Sequence, residues 1–164
     1  IDPRLLGRSF NKIRQSDLTT SDRDVRFYRW LPIDIDPIRP SGISSSDNEL
    51  EAALALSKVV ADYCVSDMGF SKPIRAMSGN GAHLLFRLAD LPANDENKKM
   101  IKNFLEGLAQ RFDTDAVKID TTVFNPARIW KLYGTAARKG DPLPAGRYRE
   151  ARPHRQSYIY ELGE

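Results

Sequence analysis

Cysteine, histidine and long apolar runs are scarce in this sequence. Its 164 residues contain one cysteine, Cys64, and two histidines. A lone cysteine excludes an internal disulfide and a cysteine-rich zinc module, and its place in an apolar helical stripe indicates a core thiol. The chain has no run of about 18 apolar residues, so no membrane span is predicted. We expect a protein of a reducing, intracellular setting that works without a membrane.

Positive charge is concentrated near the end of the chain. The net charge is only +3, yet residues 127 to 155 hold eight lysines and arginines against two acidic residues. A concentrated basic segment suits a polyanion such as nucleic acid, although a solvated loop has the same composition. Five residues of this segment are the candidate nucleic-acid contacts: Arg138, Lys139, Arg152, His154 and Arg155.

Hydrophobic periodicity predicts a first strand and a first helix. Residues 26 to 36 alternate between apolar and polar positions, which is typical of a half-buried strand. Ser46 and Glu49 then form the signature of a capping box ahead of an apolar stripe. The helix is predicted from about Asp47 to Met68, with Gly69 as its stop.

The pattern continues with two short strands, a helix and another strand. Residues 74 to 77 and 82 to 88 flank a glycine-rich turn of hairpin type. Asn94 is the predicted cap of the second helix, and residues 117 to 119 form the fourth strand. This β-α-β-β-α-β order predicts an α+β protein with the split βαβ fold, as in RNA-recognition domains. Its antiparallel sheet carries two helices on one face.

We expect the whole chain, 1 to 164, to be one domain and a piece of a longer protein. It divides into a lead-in (1 to 25), the split βαβ module (26 to 120) and a basic extension (121 to 164). The lead-in is predicted to hold a short helix around Leu5 to Ile13. Apolar and aromatic residues at 124 to 133 and 158 to 160 predict added C-terminal strands.

Polar residues of several predicted strands fall on the face opposite the helices. Alternation places Asp34 and Asp36 there, with side chains about 7 Å apart along the first strand. The same alternation places His83, Arg87 and Asp120 on that face. Converging carboxylates repel each other, so a bound divalent cation is expected. Oxygen ligands without cysteine favour Mg²⁺ or Mn²⁺ over zinc, and such a site suits nucleotidyl transfer.

The glycine-rich turn is a candidate phosphate site next to these carboxylates. Glycine lets the main chain approach a phosphate closely, so backbone amides of the turn together with His83 could hold a triphosphate. The residues concerned are Ser78, Gly79, Asn80, Gly81 and His83. Trp130 and Tyr133 are interpreted as core residues rather than as platforms for stacked bases.

Four segments in the same order resemble primase-like proteins of phages and mobile elements, which belong to the archaeo-eukaryotic primase superfamily. They are LPIDIDPIRPSG (31 to 42), SGNGAHLLFRL (78 to 88), VKIDTTVFNPARIWKLYGTAARKGD (117 to 141) and RPHRQS (152 to 157). The likeness covers about residues 26 to 160. It implies that Asp34, Asp36 and Asp120 are catalytic metal ligands, and that residues 78 to 83 contact the phosphates of the incoming nucleotide.

The resemblance implies a template-directed nucleotidyltransferase, a DNA primase or primer-extending polymerase, in a prokaryotic or phage-infected cell. It implies NTP or dNTP substrates, a single-stranded DNA template, and Mg²⁺ or Mn²⁺ as cofactor. It also implies that Arg128 and Lys131 lie near the nucleotide or the template. Relatives often add an αβ unit before the first motif, a zinc-binding insertion or a fused helicase. Little of the αβ unit is seen in this sequence, and neither the zinc-binding insertion nor the helicase is. The resemblance makes a fused or associated helicase a further expected partner.

Other functions fit the same pattern in part. A non-catalytic module that binds single-stranded nucleic acid or senses nucleotides would share the fold, but should carry aromatic residues on its central strands. Another metal enzyme, such as a cyclic-dinucleotide synthase, or an inactive regulatory descendant also stays open. A replication-initiator nuclease needs two histidines at i and i+2, and His83 and His154 cannot form that pair.

Overall fold

A five-stranded antiparallel sheet and two helices make up the computed structural model, which describes residues 19 to 146 and 149 to 163. After a 3₁₀ turn at Asp22–Asp24, the elements are β1 (Phe27–Pro37), α1 (Asp47–Ser66), β2 (Ile74–Met77), β3 (Ala82–Pro92), α2 (Asp95–Phe112), β4 (Val117–Ile119), β5 (Ala136–Ala137), β6 (Arg155–Gln156) and β7 (Tyr158–Glu161). The sheet has the order β4-β1-β3-β2-β7, and β5 pairs with β6 separately. The predicted α+β, split βαβ fold is confirmed.

The sheet buries one face against both helices. Leu31, Ile33 and Ile35 of β1 are 3%, 0% and 0% exposed, and they belong to one apolar cluster with residues of β3, α1 and α2. Each such side chain contributes roughly 1.5–3 kcal/mol by leaving water. Because side chains alternate along a strand, Asp34 and Asp36 lie on the opposite face, which we call the open face.

Both helices begin as the sequence predicts. The Ser46 hydroxyl accepts a hydrogen bond from the Glu49 N–H (3.3 Å), and the Glu49 carboxylate accepts one from the Ser46 N–H (2.9 Å). This reciprocal capping box satisfies two amides that the first helical turn leaves without partners. At the start of α2, the side chain of Asn94 accepts a hydrogen bond from the Asn97 N–H (2.8 Å).

The ends of several elements differ from the prediction. The first helix ends at Ser66 rather than Met68, and Gly69 follows with φ of +74°, a left-handed value that turns the chain away from the helix. A β-bulge between Tyr28 and Trp30 shifts the register of β1, so Tyr28 points into the core. The predicted helix around Leu5 to Ile13 lies outside the described residues.

The strand predicted within residues 124 to 133 is wrong, whereas the one at 158 to 160 is confirmed as β7. Residues 124 to 133 form turns and irregular backbone. Trp130 and Tyr133 contact His83 on the open face, whereas the Phe124 ring lies beside Lys98 and Lys102 of α2. β7 pairs with β2, where Ile159 lies opposite Ala76. Neither described helix has the length and apolar character needed to cross a bilayer.

Candidate active site

Asp34, His83 and Asp120 meet at the centre of the open face. The register of β1 and β3 puts Asp34 directly opposite His83, and the imidazole Nε2 lies 3.4 Å from the Asp34 Oδ1. β4 flanks β1 on its other side, and the N–H of Asp120 donates to the carbonyl of Asp34 (2.8 Å). The convergence expected from alternation on separate strands is therefore present.

A cavity of about 480 Å³ opens in front of these residues. The segment that follows β4 forms its other wall, where Ile129 and Leu132 are 92% and 76% exposed. Six residues predicted from the sequence line the cavity: Asp34, Ser78, His83, Asp120, Arg128 and Lys131. Acidic groups thus lie on the sheet side of the cavity, and basic groups lie on the side of the later segment.

Asp36 lies next to this cavity rather than in its wall, and the side chain of Arg39 contacts the Asp36 carboxylate. The Arg39 side chain is 7% exposed, and its Nη1 is 3.4 Å from the Asp36 Oδ1. The guanidinium also donates to the carbonyls of Pro37 and Ile43 (both 3.3 Å). Burial and the charge of Asp34 raise the pKa of Asp36, while Arg39 and Lys139 oppose the rise.

Sequence reasoning missed Arg39. The signal that could have revealed it is a cation three residues after the second aspartate, just beyond the end of the strand. At that spacing a long side chain can fold back onto the carboxylate. Its near-complete burial follows from the carbonyl groups that it also satisfies.

The glycine-rich turn is held by its own hydrogen bonds. The Ser78 hydroxyl accepts from the N–H groups of Gly81 (3.0 Å) and Asn80 (3.4 Å), and the Gly79 N–H lies 2.8 Å from the Met77 sulfur. The side-chain Oδ1 of Asn80 accepts from the Ser45 N–H (2.9 Å), which ties the turn to the start of α1. The amides expected to cradle phosphates are engaged within the protein in this conformation.

Close packing explains the two glycines of the turn. Gly79 has φ of +106°, and a Cβ there would overlap the side chain of Ala137. A Cβ at Gly81 would collide with the carbonyl oxygen of Ile35 and lie 2.7 Å from the Asp36 Oδ1. Gly81 is thus required for the approach of β3 to the carboxylate-bearing end of β1.

Trp130 and Tyr133, predicted as core residues, contact His83. Trp130 is partly buried against the core, and its ring lies 4.4 Å from the His83 ring, centroid to centroid. The Tyr133 hydroxyl is 2.8 Å from the His83 Nδ1 and accepts a hydrogen bond from the Trp130 Nε1 (3.0 Å). These two aromatics belong to the site, a role that their sequence pattern does not reveal.

The five basic candidates of the extension divide into two groups. Arg152 makes two 2.7 Å bonds to the Glu49 carboxylate, and Arg155 bonds to Asp47 (2.6 Å) and to the Ser45 carbonyl (2.8 Å). His154 contacts the Gly140 carbonyl (2.9 Å). These three side chains hold the extension onto the start of α1 and onto itself. Arg138 and Lys139 are exposed.

The carboxylates on the open face differ in their hydrogen bonding. Among residues 19 to 146 and 149 to 163, no three His, Cys, Asp or Glu side chains are arranged as a ready metal site. The Asp120 Oδ1 accepts a hydrogen bond from the Thr122 N–H (2.7 Å). The Asp34 Oδ1 is buried without a hydrogen-bond partner, which is costly for a carboxylate oxygen.

The site therefore combines an aspartate pair, a third aspartate, a buried histidine and a basic wall. Its residues come from β1, β3, the end of β4 and the segment after β4. Comparisons of the chain with protein-family models, with curated protein sequences and with solved structures find no match, so a functional proposal has to rest on these residues.

Proposed function

We propose that this chain is the catalytic core of a primase-polymerase that carries out template-directed nucleotidyl transfer. The observation that carries the proposal is the cluster on the open face, where Asp34 lies opposite His83 and beside Asp120. Basic residues on the facing wall of the cavity supply the charge that a triphosphate needs. The resemblance of four ordered segments to the primase superfamily supports the same activity.

The aspartates fit a divalent cation. Asp34 keeps a buried oxygen without a partner, and its charge helps to raise the pKa of Asp36. Such uncompensated negative charge is what a bound cation relieves, and the all-oxygen donors suit Mg²⁺ or Mn²⁺. Asp34, Asp36 and Asp120 would hold the ion. When bound, it would activate the attacking hydroxyl and neutralise charge on the phosphates.

The chain's own groups bind and orient the nucleotide in this proposal. His83 donates a hydrogen bond to a phosphate oxygen, and Arg128 and Lys131 approach the same oxygens from the opposite wall. Arg138 and Lys139, exposed on the extension, contact the backbone of a single-stranded template. Priming, as distinct from extension, is the step for which a fused or associated helicase or another accessory part is most needed.

The test is incorporation of labelled dNTPs and NTPs on primed and unprimed single-stranded templates, with Mg²⁺ or Mn²⁺. We expect Asp36→Asn to abolish incorporation while its circular dichroism and thermal melt match those of the wild type. Asp62→Asn is the matched control, because Asp62 is an exposed carboxylate on α1, the helix on the other face of the sheet. Near-wild-type turnover by Asp36→Asn would exclude the assignment, and unprimed products would identify a primase.

A non-catalytic module for single-stranded nucleic acid is the second candidate, and Trp30 favours it. Trp30 lies opposite Arg87 on the open face, four residues before Asp34. It is 42% exposed, and the Arg87 guanidinium is 5.6 Å from its ring centroid. An exposed aromatic beside a cation is a platform for base stacking, worth roughly 1–3 kcal/mol per base.

The two candidates differ in their need for metal. A binding module retains affinity for single-stranded DNA in EDTA, loses it on Trp30→Ala, and incorporates no nucleotide with either metal. A polymerase core incorporates nucleotide, and Trp30→Ala reduces template affinity without removing the metal-dependent step.

A further inference from the structure

A chain of contacts leads from Trp130 through Tyr133 and His83 to Asp34. Trp130 Nε1 donates to the Tyr133 hydroxyl (3.0 Å), which lies 2.8 Å from His83 Nδ1, and His83 Nε2 faces the Asp34 Oδ1 at 3.4 Å. His83 is 5% exposed, so its ring is enclosed. Each imidazole nitrogen of His83 thus faces a defined polar group, and these two groups determine which nitrogen carries the proton.

The two neutral forms of His83 differ sharply in how well they satisfy these groups. With the proton on Nε2, the Tyr133 hydroxyl donates to Nδ1, and the protonated edge of the ring lies 3.4 Å from the Asp34 Oδ1, an electrostatic attraction that does not amount to a hydrogen bond. With the proton on Nδ1, a lone pair of Nε2 faces that carboxylate, and the Tyr133 proton loses its acceptor. The first form gives the Tyr133 proton an acceptor and keeps a lone pair away from the carboxylate, so it is favoured.

Trp130 fixes the direction in which the Tyr133 hydroxyl donates. An indole N–H can only donate, so it occupies one lone pair of the phenol oxygen and leaves the phenol proton for His83. Burial, together with the nearby charge of Asp34, raises the pKa of Tyr133 to about 12 against the opposing Trp130 hydrogen bond. The phenol accordingly keeps its proton at neutral pH and remains a donor.

We propose that Tyr133, oriented by Trp130, is a positioning residue that holds His83 with its proton on Nε2, directed at Asp34 and the cavity. This inference rests on the proposed function for its purpose, because that N–H is the donor that a nucleotide phosphate would meet. It adds two residues to the site with distinct roles, since Trp130 orients the phenol and Tyr133 sets the tautomer of His83.

Nitrogen NMR of ¹⁵N-histidine-labelled protein reads the tautomer directly and needs no nucleotide. The chain has only His83 and His154, so the His154→Gln variant assigns the spectrum. We expect wild-type His83 to show a protonated Nε2 and an unprotonated Nδ1. Tyr133→Phe should weaken this preference, because Asp34 alone then favours the Nε2–H form, and the Nδ1–H form should become detectable. Tyr28→Phe is the matched control, since its buried hydroxyl donates to the Phe124 carbonyl instead of to His83.

Nucleotide kinetics provide the second readout. Tyr133→Phe should raise the KM for nucleotide by about threefold to tenfold, the effect of one lost hydrogen bond, with a smaller change in kcat. Trp130→Phe should give a smaller rise, and Tyr28→Phe none. A wild-type His83 protonated on Nδ1, or a tautomer unaffected by Tyr133→Phe, would overturn the inference. If Tyr133→Phe does not fold, the wild-type spectrum and Trp130→Phe decide.

Failure of the inference is distinguishable from failure of the proposed function. An Nε2–H tautomer that Tyr133→Phe weakens, in a wild-type protein that incorporates no nucleotide, supports the positioning role and refutes the polymerase assignment. If the wild type incorporates nucleotide but His83 carries its proton on Nδ1, the polymerase assignment is supported and the positioning role of Tyr133 is refuted.

Discussion

Replacing Gly81 by alanine should destabilise the protein, whereas the same change at Gly107 should stabilise it. At Gly81 the added methyl would overlap the Ile35 carbonyl oxygen, which belongs to the backbone of the central strand and cannot rotate away. Forcing a methyl into such a contact costs typically about 1–3 kcal/mol, after which Asp36 or the β1–β3 pairing has to shift. At Gly107, an exposed position within α2, a Cβ meets nothing within 4 Å.

The second substitution gains helix propensity without a steric cost. Alanine in a helix interior is better than glycine by roughly 0.5–1 kcal/mol, so Gly107→Ala should raise the free energy of unfolding by about that amount. The two variants are therefore expected to change the free energy of unfolding in opposite directions, although the chemical change is identical. If the added methyl group acted only on the unfolded chain, both substitutions would change the free energy of unfolding in the same direction.

Urea denaturation followed by circular dichroism measures both free energies of unfolding. We expect Gly81→Ala to lower the midpoint and Gly107→Ala to raise it, with unchanged slopes. In the proposed function Gly81→Ala should also reduce incorporation, because the Asp36 carboxylate has to move. A Gly81→Ala protein as stable as the wild type would refute the close packing of Gly81 on β1 and the reason given for this glycine.

Three further predictions concern other parts of the molecule. Arg152→Met should lower the free energy of unfolding at pH 7 by about 1–3 kcal/mol, since it removes three charge-assisted hydrogen bonds, two to Glu49 and one to the Ser44 carbonyl. Burial of Glu49 acts to raise its pKa, but hydrogen bonds from Arg152 and Ser46 outweigh this and lower it below 4.5. The stabilisation is therefore complete above pH 4.5 and is lost as the pH falls through the folded-state pKa, so denaturation curves of wild type and Arg152→Met should converge in acid. Burial raises the pKa of Cys64 to about 11, so a maleimide at about pH 8 should label it slowly in the folded chain and rapidly in urea. Replacing Arg138 and Lys139 by alanine should weaken binding to single-stranded DNA and reduce its salt slope by roughly 0.7 per lost phosphate contact, with unfolding unchanged.

The sequence predicted the parts of the fold that depend on local pattern. Strict alternation in β1 separated Ile33 and Ile35 from Asp34 and Asp36. The pattern is readable because only one face of the sheet is buried, so apolar residues occupy every second position. The capping box at Ser46 was equally readable, because it satisfies helix amides within four residues. From these elements the split βαβ order followed, and with it the placement of Asp34, Asp36 and Asp120 on one face of the sheet.

What the sequence did not predict depends on contacts between distant segments. The bulge at Tyr28 reverses which side chains of β1 face the core, and no periodic signal marks it. Trp130 and Tyr133 carry the composition of a strand, yet they pack on His83 some 50 residues earlier in the chain. Arg152 and Arg155 resemble nucleic-acid contacts by charge alone, and only their carboxylate partners on α1 distinguish them from Arg138 and Lys139.

The basic extension is therefore as much a part of the site as the sheet. Its contacts with the rest of the chain include the pairing of β7 with β2, the bonds of Arg152 and Arg155 to the start of α1, and the contact of Tyr133 with His83. These attachments bring Arg128 and Lys131 into the cavity wall opposite the aspartates. An isolated split βαβ sheet would present the carboxylates to water without that wall, and without the phenol that orients His83. In the proposed function, nucleotide recognition and the proton position of His83 would depend on the same segment, so loss of the extension's attachments should weaken nucleotide binding.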